Sequence, residues 1–320
     1  MSIHQNTVWK IPQVRAGMPA CLIFLVDQSG TMGHPYAGTN ITKAQYAADA
    51  TNQCIDGILL KCKEESTADG PRIEERCHIS IVGYGGQSYP VHQATAARPT
   101  VPTSRREAGL IIDGWPETFV RHPRGGRITQ WVEPKYHGGT PMSDAFDLAE
   151  ELIQYWFHHD ELVGEDEKWR FDPMTCIQPI VINITDGIAE DFERELNKAA
   201  ALRELPAFEK ELELQEVKTY VAAQRLKSHF SNFGNVLLFN IQLSDSKTEP
   251  SMFPTAAKAE EFDPFEKLLF TLSSELPKWM VDRAKLFSGL KNLQEGCRGM
   301  VLNLDPPELH KLLVFSSYVG

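Results

Sequence analysis

Residues 21–33 read CLIFLVDQSGTMG. Leu22 to Val26 are five apolar residues in a row, and they run straight into Asp27. Oxygen-bearing side chains then stand at alternate positions: Asp27, Ser29 and Thr31. An unbroken apolar run of this length suits a strand buried on both faces. The carboxylate and two hydroxyls at its end have two readings. In one they cap a turn and the helix after it, because Asp, Ser and Thr oxygens accept backbone N–H groups that lack partners, and Gly30 eases the turn. In the other they form part of the shell of a hard cation, since Mg²⁺ takes oxygen ligands in near-octahedral geometry and keeps several waters.

Further apolar runs alternate with helical patterns along the chain. Strands are expected at 22–26, 77–84, 180–184, 236–243 and 299–304, and helices at 44–63, 143–158, 189–205, 274–287 and 306–315. This alternation predicts an α/β fold, doubly wound, with a mostly parallel central sheet and helices on both faces. Three stretches break the pattern. Residues 85–137, rich in Gly, Pro and Arg, are expected to carry short strands near 109–112 and 129–132. Residues 206–228 are strongly charged and read as an inserted helix, with Leu205, Phe208 and Leu212 and then Val217, Tyr220 and Val221 as its apolar stripe. Residues 244–264 read as a polar connection. The expected organisation is an arm over 1–17, one domain over 18–316 with the insertion near 206–228, and a tail over 317–320.

The 320 residues are 42% hydrophobic and 23% charged, a globular composition long enough for a full core. The net charge of −11 argues against non-specific nucleic-acid binding, which needs Lys and Arg to neutralise phosphates. No run approaches the roughly 18 apolar residues of a membrane span. The first 17 residues lack the apolar core of a signal peptide. Six scattered cysteines contain no C-x-x-C pair, which fits reduced thiols and a cytoplasmic location. Cys21, Cys77 and Cys176, near strand starts, read as small buried hydrophobes.

In doubly wound sheets ligands sit outside the carboxyl ends of the strands, which places the Asp27 loop at the functional edge. Two other segments should reach that edge. HGGTPMSDAF puts Thr140 in a Gly-rich turn before a helix, and VINITDG puts Asp186 directly after a buried strand. Alone, Thr140 reads as an N-cap and Asp186–Gly187 as a turn. Together with the first loop they make a five-residue oxygen set: Asp27, Ser29, Thr31, Thr140 and Asp186. Other candidates have plainer readings. Arg121, Arg124 and Arg127 could hold a phosphate but read as a solvated loop. His158, His159 and Asp160 end a helix, where adjacent histidines point in different directions. VGYGGQS lacks both the G-x-G-x-x-G order and the P-loop Lys.

On these motifs the chain resembles the von Willebrand factor A family over roughly residues 18–315. Asp27, Ser29 and Thr31 fall on the Asp-x-Ser-x-Ser loop of that family's metal-ion-dependent adhesion site, Thr140 on its second-loop threonine and Asp186 on its third-loop aspartate. Thr31 departs from the usual Ser but keeps the hydroxyl. GNVLLFNIQLS, LLFTLSSELPKWM and CRGMVLNLDPPELHKLL look like bacterial members linked to Ser/Thr kinases and protein phosphatases, the tellurium-resistance-like group. The resemblance implies Mg²⁺, with Mn²⁺ or Ca²⁺ as alternatives, bound so that a partner protein's Glu or Asp carboxylate completes the shell. It implies a non-enzymatic interaction module, an adaptor in kinase- and phosphatase-linked stress or defence signalling, with no nucleic-acid or membrane partner. The alternatives are a subunit working with an AAA or MoxR-type ATPase and a metal-dependent hydrolase, the latter requiring a general base that no motif supplies.

Overall fold

The structure, a computed structural model, describes residues 18–37, 39–61, 77–85, 119–121, 127–162, 171–187, 189–192, 217–245, 249–284 and 293–304. In chain order the strands are β1 (Ala20–Asp27), β2 (Cys77–Tyr84), β3 (Phe119–Arg121), β4 (Arg127–Thr129), β5 (Ile180–Thr185), β6 (Phe230–Ser231), β7 (Gly234–Asn235), β8 (Leu237–Gln242), β9 (Ser251–Met252) and β10 (Met300–Leu302). The helices are α1 (Lys43–Lys61), α2 (Met142–Phe157), α3 (His159–Leu162), α4 (Lys218–Ser228), α5 (Ala256–Ala259), α6 (Pro264–Leu272) and α7 (Lys278–Ala284).

Six strands form one sheet in the order β2-β1-β5-β8-β10-β9. Every pairing is parallel except β9 with β10. This is the expected α/β doubly wound arrangement. All eight residues of β1 and all six of β5 are buried, which is why both read as unbroken apolar runs. Alternate residues of β1 feed opposite layers. Leu22, Phe24 and Val26 pack with Ala47, Ile55 and Ile58 of α1 and Met280 of α7. Ile23 and Leu25 pack with Phe146 and Ile153 of α2, Leu226 of α4 and Leu269 of α6. Each such large side chain contributes roughly 1.5–3 kcal/mol by leaving water.

A polar ladder runs through the second layer. Tyr84 Oη donates to Asn183 Oδ1 (2.7 Å), and Asn183 Nδ2 donates to Asn240 Oδ1 (2.9 Å). Asn240 Nδ2 then donates to Ser273 Oγ (2.9 Å) and reaches the Leu269 carbonyl (3.3 Å). The four side chains join β2, β5, β8 and the end of α6, and all are buried.

Several expected boundaries shift for identifiable reasons. The helix expected from 274 begins at Lys278, because residues 274–277 are tied to the strand region: Gly299 N donates to the Ser274 carbonyl (2.8 Å) and Leu276 N to that of Cys297 (2.9 Å). The connection over 244–264 contains β9 and α5, and it ends in a cap for the unforeseen helix α6. There Asp263 accepts from Glu266 N (2.8 Å), and Glu266 accepts from Asp263 N (3.1 Å), a capping box with Pro264 in the first turn. Asp263→Ala should lower stability by about 1 kcal/mol, read from the urea midpoint at unchanged slope. The strand expected over 129–132 ends at Thr129. Beyond it Asn52 of α1 captures the backbone, accepting from Trp131 N and Val132 N (2.8 Å each) and donating to the Val132 carbonyl (3.0 Å).

Of the charged segment over 206–228, residues 217–228 are described, and 218–228 form α4. Its buried face is Thr219, Ala222, Ala223 and Leu226, beside buried Val217, whereas Val221 of the expected stripe is exposed. α4 lies on α2, with Arg225 paired to Asp147 (2.6 Å) and Glu150 (2.9 Å). The strand expected at 109–112, the helix expected at 306–315, most of that at 189–205, the arm over 1–17, the tail over 317–320 and residues 206–216 lie outside the described residues. Cys21, Cys54, Cys176 and Cys297 are buried, and Cys77 is half-buried. Burial pushes the Cys21 and Cys176 thiols up, the latter to about 12, so both behave as small apolar groups. No helix among the described residues is long and apolar enough to cross a membrane.

Candidate functional site

From β1 the chain leads to β2 on one side of the sheet and, later, to β5 on the other. The carboxyl ends of β1 and β5 therefore meet at the topological switch point, where doubly wound sheets bind ligands. Asp27 is the last residue of β1, and Asp186 is the first residue after β5.

Asp27 is only 1% exposed. Its Oδ1 accepts from Ser29 N (2.8 Å) and its Oδ2 from Thr185 Oγ1 (2.7 Å). Ser29 precedes a single 3₁₀ turn (Gly30–Gly33), yet its hydroxyl makes no capping bond. It lies 3.2 Å from the Thr31 hydroxyl. The capping reading holds for Asp27, which takes the Ser29 N–H, and fails for Ser29. It also fails for Thr140: Pro141 holds the cap position of α2, and Thr140 instead offers its carbonyl to Met142 N (2.8 Å) and Glu190 N (3.2 Å).

Two backbone hydrogen bonds zip the second loop onto the first: Gly30 N to the Gly138 carbonyl (2.9 Å) and His137 N to the Gln28 carbonyl (2.7 Å). The approach requires small residues. A Cβ on Gly139 would stand 2.9 Å from the Glu190 carboxylate. Gly187, with φ +100°, turns the third loop back beneath Gln242, where a Cβ would meet the amide at 2.7 Å. Asp27, Ser29, Thr31, Thr140 and Asp186 thus sit on three adjoining loops at one sheet edge.

Four residues at this edge carry no sequence motif. Thr185 orients Asp27 and accepts from Gly187 N (3.0 Å). Lys43, the first residue of α1, sends its ammonium to Asp186 Oδ2 (3.0 Å) and to Asp245 Oδ1 (2.6 Å). Asp245 also faces His34 (3.4 Å). The Lys43 and Asp186 side chains are each 4% exposed, and Asp245 is 56% exposed. Partial burial pushes the Asp245 carboxyl up, but the bonds and charges of Lys43 and His34 outweigh it and hold the group below its ordinary value.

The electrostatics are unbalanced. Burial, and next the charge of Asp186, pushes the Asp27 carboxyl up to about 7 against the hydrogen bonds from Thr185 and Ser29. Tyr84 is pushed up as well, by burial and then by the charge of Asp27. Asp186 Oδ1 is buried and has no hydrogen-bond partner. An ionised oxygen left unpaired in the interior is costly, so this atom calls for a positive neighbour. Two carboxylates with three hydroxyls are a hard, all-oxygen donor set that suits Mg²⁺, Mn²⁺ or Ca²⁺. Among the described residues no group of three or more His, Cys, Asp or Glu could hold a metal, so a zinc-type centre has no candidate there. The donor set fits a cation of the first kind.

For the two histidines the plainer reading holds. His159 is buried with Nδ1 3.1 Å from Tyr155 Oη, while exposed His158 faces Glu161 (3.6 Å). Arg121 and Arg127 are opposite one another in the β3–β4 pair, and Arg124 lies outside the described residues. A cleft of ≈ 500 Å³ bordered by Gln178, Lys227, Val236, Ser274 and Arg298 opens at the amino ends of the strands. Its cations are spent on the end of α6: Lys227 donates to the Leu272 carbonyl (2.7 Å) and Arg298 to those of Phe270, Thr271 and Ser273. Burial, and then the charge of Arg298, pushes Lys227 down to about 8.

No family model matches the chain, and no curated protein does. Solved structures do align with it, among them the following two. The manganese-loaded Plasmodium vivax TRAP protein does so at 14% identity and a TM-score of 0.34, over 93% of this chain and 73% of that one. The pilus adhesin SpaC from Lactobacillus rhamnosus GG does so at 13% identity and a TM-score of 0.31, over 56% of this chain and 16% of that one. No conclusion below rests on likenesses of this size.

Proposed function

We propose that the protein is a divalent-cation-dependent protein-binding module of the von Willebrand factor A type, and that it is not an enzyme. The observation that carries this is the pair of buried carboxylates at the switch point: Asp27 is pushed towards protonation, and Asp186 Oδ1 has no partner. Asp27, Ser29, Thr31, Thr140 and Asp186 would hold the cation. A bound Mg²⁺ or Mn²⁺ supplies a coordination position that accepts a carboxylate oxygen of a partner protein. The chain's own residues do the rest. Thr185 and Ser29 fix the direction of Asp27, and the backbone bonds of Gly30 and His137 keep Thr140 beside it. Neutral hydroxyls leave the cation more of its charge than further carboxylates would.

A protein partner is supported by what borders the site. Tyr136, whose ring lies against Gly33, and Ile41 are both exposed. Aromatic anchors of this kind are enriched at interfaces. Within this reading the C-terminal resemblance makes a kinase- and phosphatase-linked adaptor the first partner class to test. The mostly buried cysteines suit a reducing cytoplasm.

Calorimetric titration of the purified protein with MgCl₂ and MnCl₂ tests the site, and Asp186→Ala is the control. One saturable site lost in the variant is expected; no binding at millimolar cation would overturn the reading. For a partner in hand, EDTA should release the complex. Removing its one coordinating Glu or Asp should cost about 2 kcal/mol or more. A partner that binds equally well in EDTA would rule out the bridge.

A further inference from the structure

Lys43 lies outside the five-residue motif, yet among the described residues it is the one side chain that touches Asp186 with a full charge. The contact is asymmetric. Oδ2 of Asp186 takes the ammonium at 3.0 Å, while Oδ1, equally enclosed, takes nothing. Burying an ammonium is expensive unless carboxylates surround it, and Asp186 and Asp245 supply two. Asp245, more than half exposed and also facing His34, is screened by water; Asp186 is not. The unit charge of Lys43 is therefore shared between the two carboxylates, and on the side of Asp186 it is screened least.

We infer that Lys43 is a built-in counter-charge that sets the affinity of the site for its cation, holding Asp186 by Oδ2 so that Oδ1 is free to ligate. The inference rests on the metal reading above. It has two physical parts. The ammonium relieves the repulsion between Asp27 and Asp186 when no cation is present, so the edge stays folded. It also opposes an incoming divalent cation across a single carboxylate, because charges this close and this enclosed interact strongly. Affinity is thereby held down, and the loaded site keeps a more positive net charge towards an incoming carboxylate.

The test compares wild type, Lys43→Met and Lys43→Arg by calorimetry with MnCl₂ and by thermal unfolding with and without it. Lys43→Met should bind Mn²⁺ at least tenfold more tightly. Its metal-free form should melt lower than wild type, and Mn²⁺ should raise its melting temperature by more than it raises that of wild type. Lys43→Arg keeps the charge and should stay within about threefold of wild type. Should Lys43→Met not fold, Lys43→Gln, which retains a donor to Asp186, carries the same expectation. A purely structural tether predicts the opposite: unchanged or weaker Mn²⁺ binding and lower melting in both conditions. That result overturns the inference while leaving the metal reading intact. Tightening in Lys43→Arg equal to that in Lys43→Met would also overturn it. A wild type that binds no Mn²⁺ overturns both.

Discussion

Asp27→Asn should abolish divalent-cation binding and, in the same variant, raise the melting temperature of the metal-free protein at pH 8. The two effects share a cause. In the fold, burial and Asp186 push the Asp27 carboxyl up to about 7, whereas an unfolded chain releases that proton near 4. Between these values the folded state binds more protons than the unfolded one, so stability falls as pH rises. The loss begins near the unfolded value and is complete above about pH 7. Three pKa units correspond to roughly 4 kcal/mol. Asn loses part of that advantage because its amide must find an acceptor where Thr185 now donates. A net gain of about 2 kcal/mol remains, or roughly 3 °C in melting temperature at pH 8, shrinking towards zero near pH 4. Mn²⁺ should stabilise wild type at pH 8 and leave the variant unmoved. Calorimetry and thermal melts at the two pH values read both halves. A variant that binds Mn²⁺ like wild type would remove Asp27 from the site, and one that melts lower at pH 8 would refute the electrostatic account.

Asn183→Ala should be the most damaging single change among the described residues of the sheet. It strands Asn240 Oδ1, takes from Tyr84 Oη its acceptor, both buried, and leaves a small cavity. Each orphaned group costs about 1–3 kcal/mol, so the total is on the order of 4 kcal/mol. That corresponds to roughly 6 °C, or a large drop in urea midpoint at unchanged slope. Tyr84→Phe removes the donor itself and should cost only about 1 kcal/mol. Equal losses for the two variants would show that the ladder is not the cause.

What could be read in advance follows from how local each cause is. β1 and β5 are legible because burial on both faces leaves no room for polar residues. The places of Asp27, Ser29 and Thr31 at the end of β1 and of Asp186 after β5 are legible because turns adjoin those strands, whereas Thr140 stands in a Gly-rich turn before α2. α6 is not: it has only nine residues, too few for a periodic pattern, and its signal is the Asp263–Glu266 pair alone. The Asn52 clamp on Trp131 and Val132 explains why the expected strand stops short, and its partners are about 80 positions apart. Lys43 is the clearest case. At the start of a helix it looks like an ordinary surface cation, and only the fold brings Asp186, 143 positions away, against it.

The Tyr84–Asn183–Asn240–Ser273 ladder also constrains descent. Any one substitution passes through a form with unpaired groups in the interior, whereas replacing adjacent partners together with apolar residues of similar shape can be nearly neutral. The effects are therefore strongly non-additive, and the order in which changes arrive matters. A lineage that keeps one rung is held to the others. A relative that has lost Asn183 should have replaced Asn240 as well, so the four positions pass through evolution as a single inherited character.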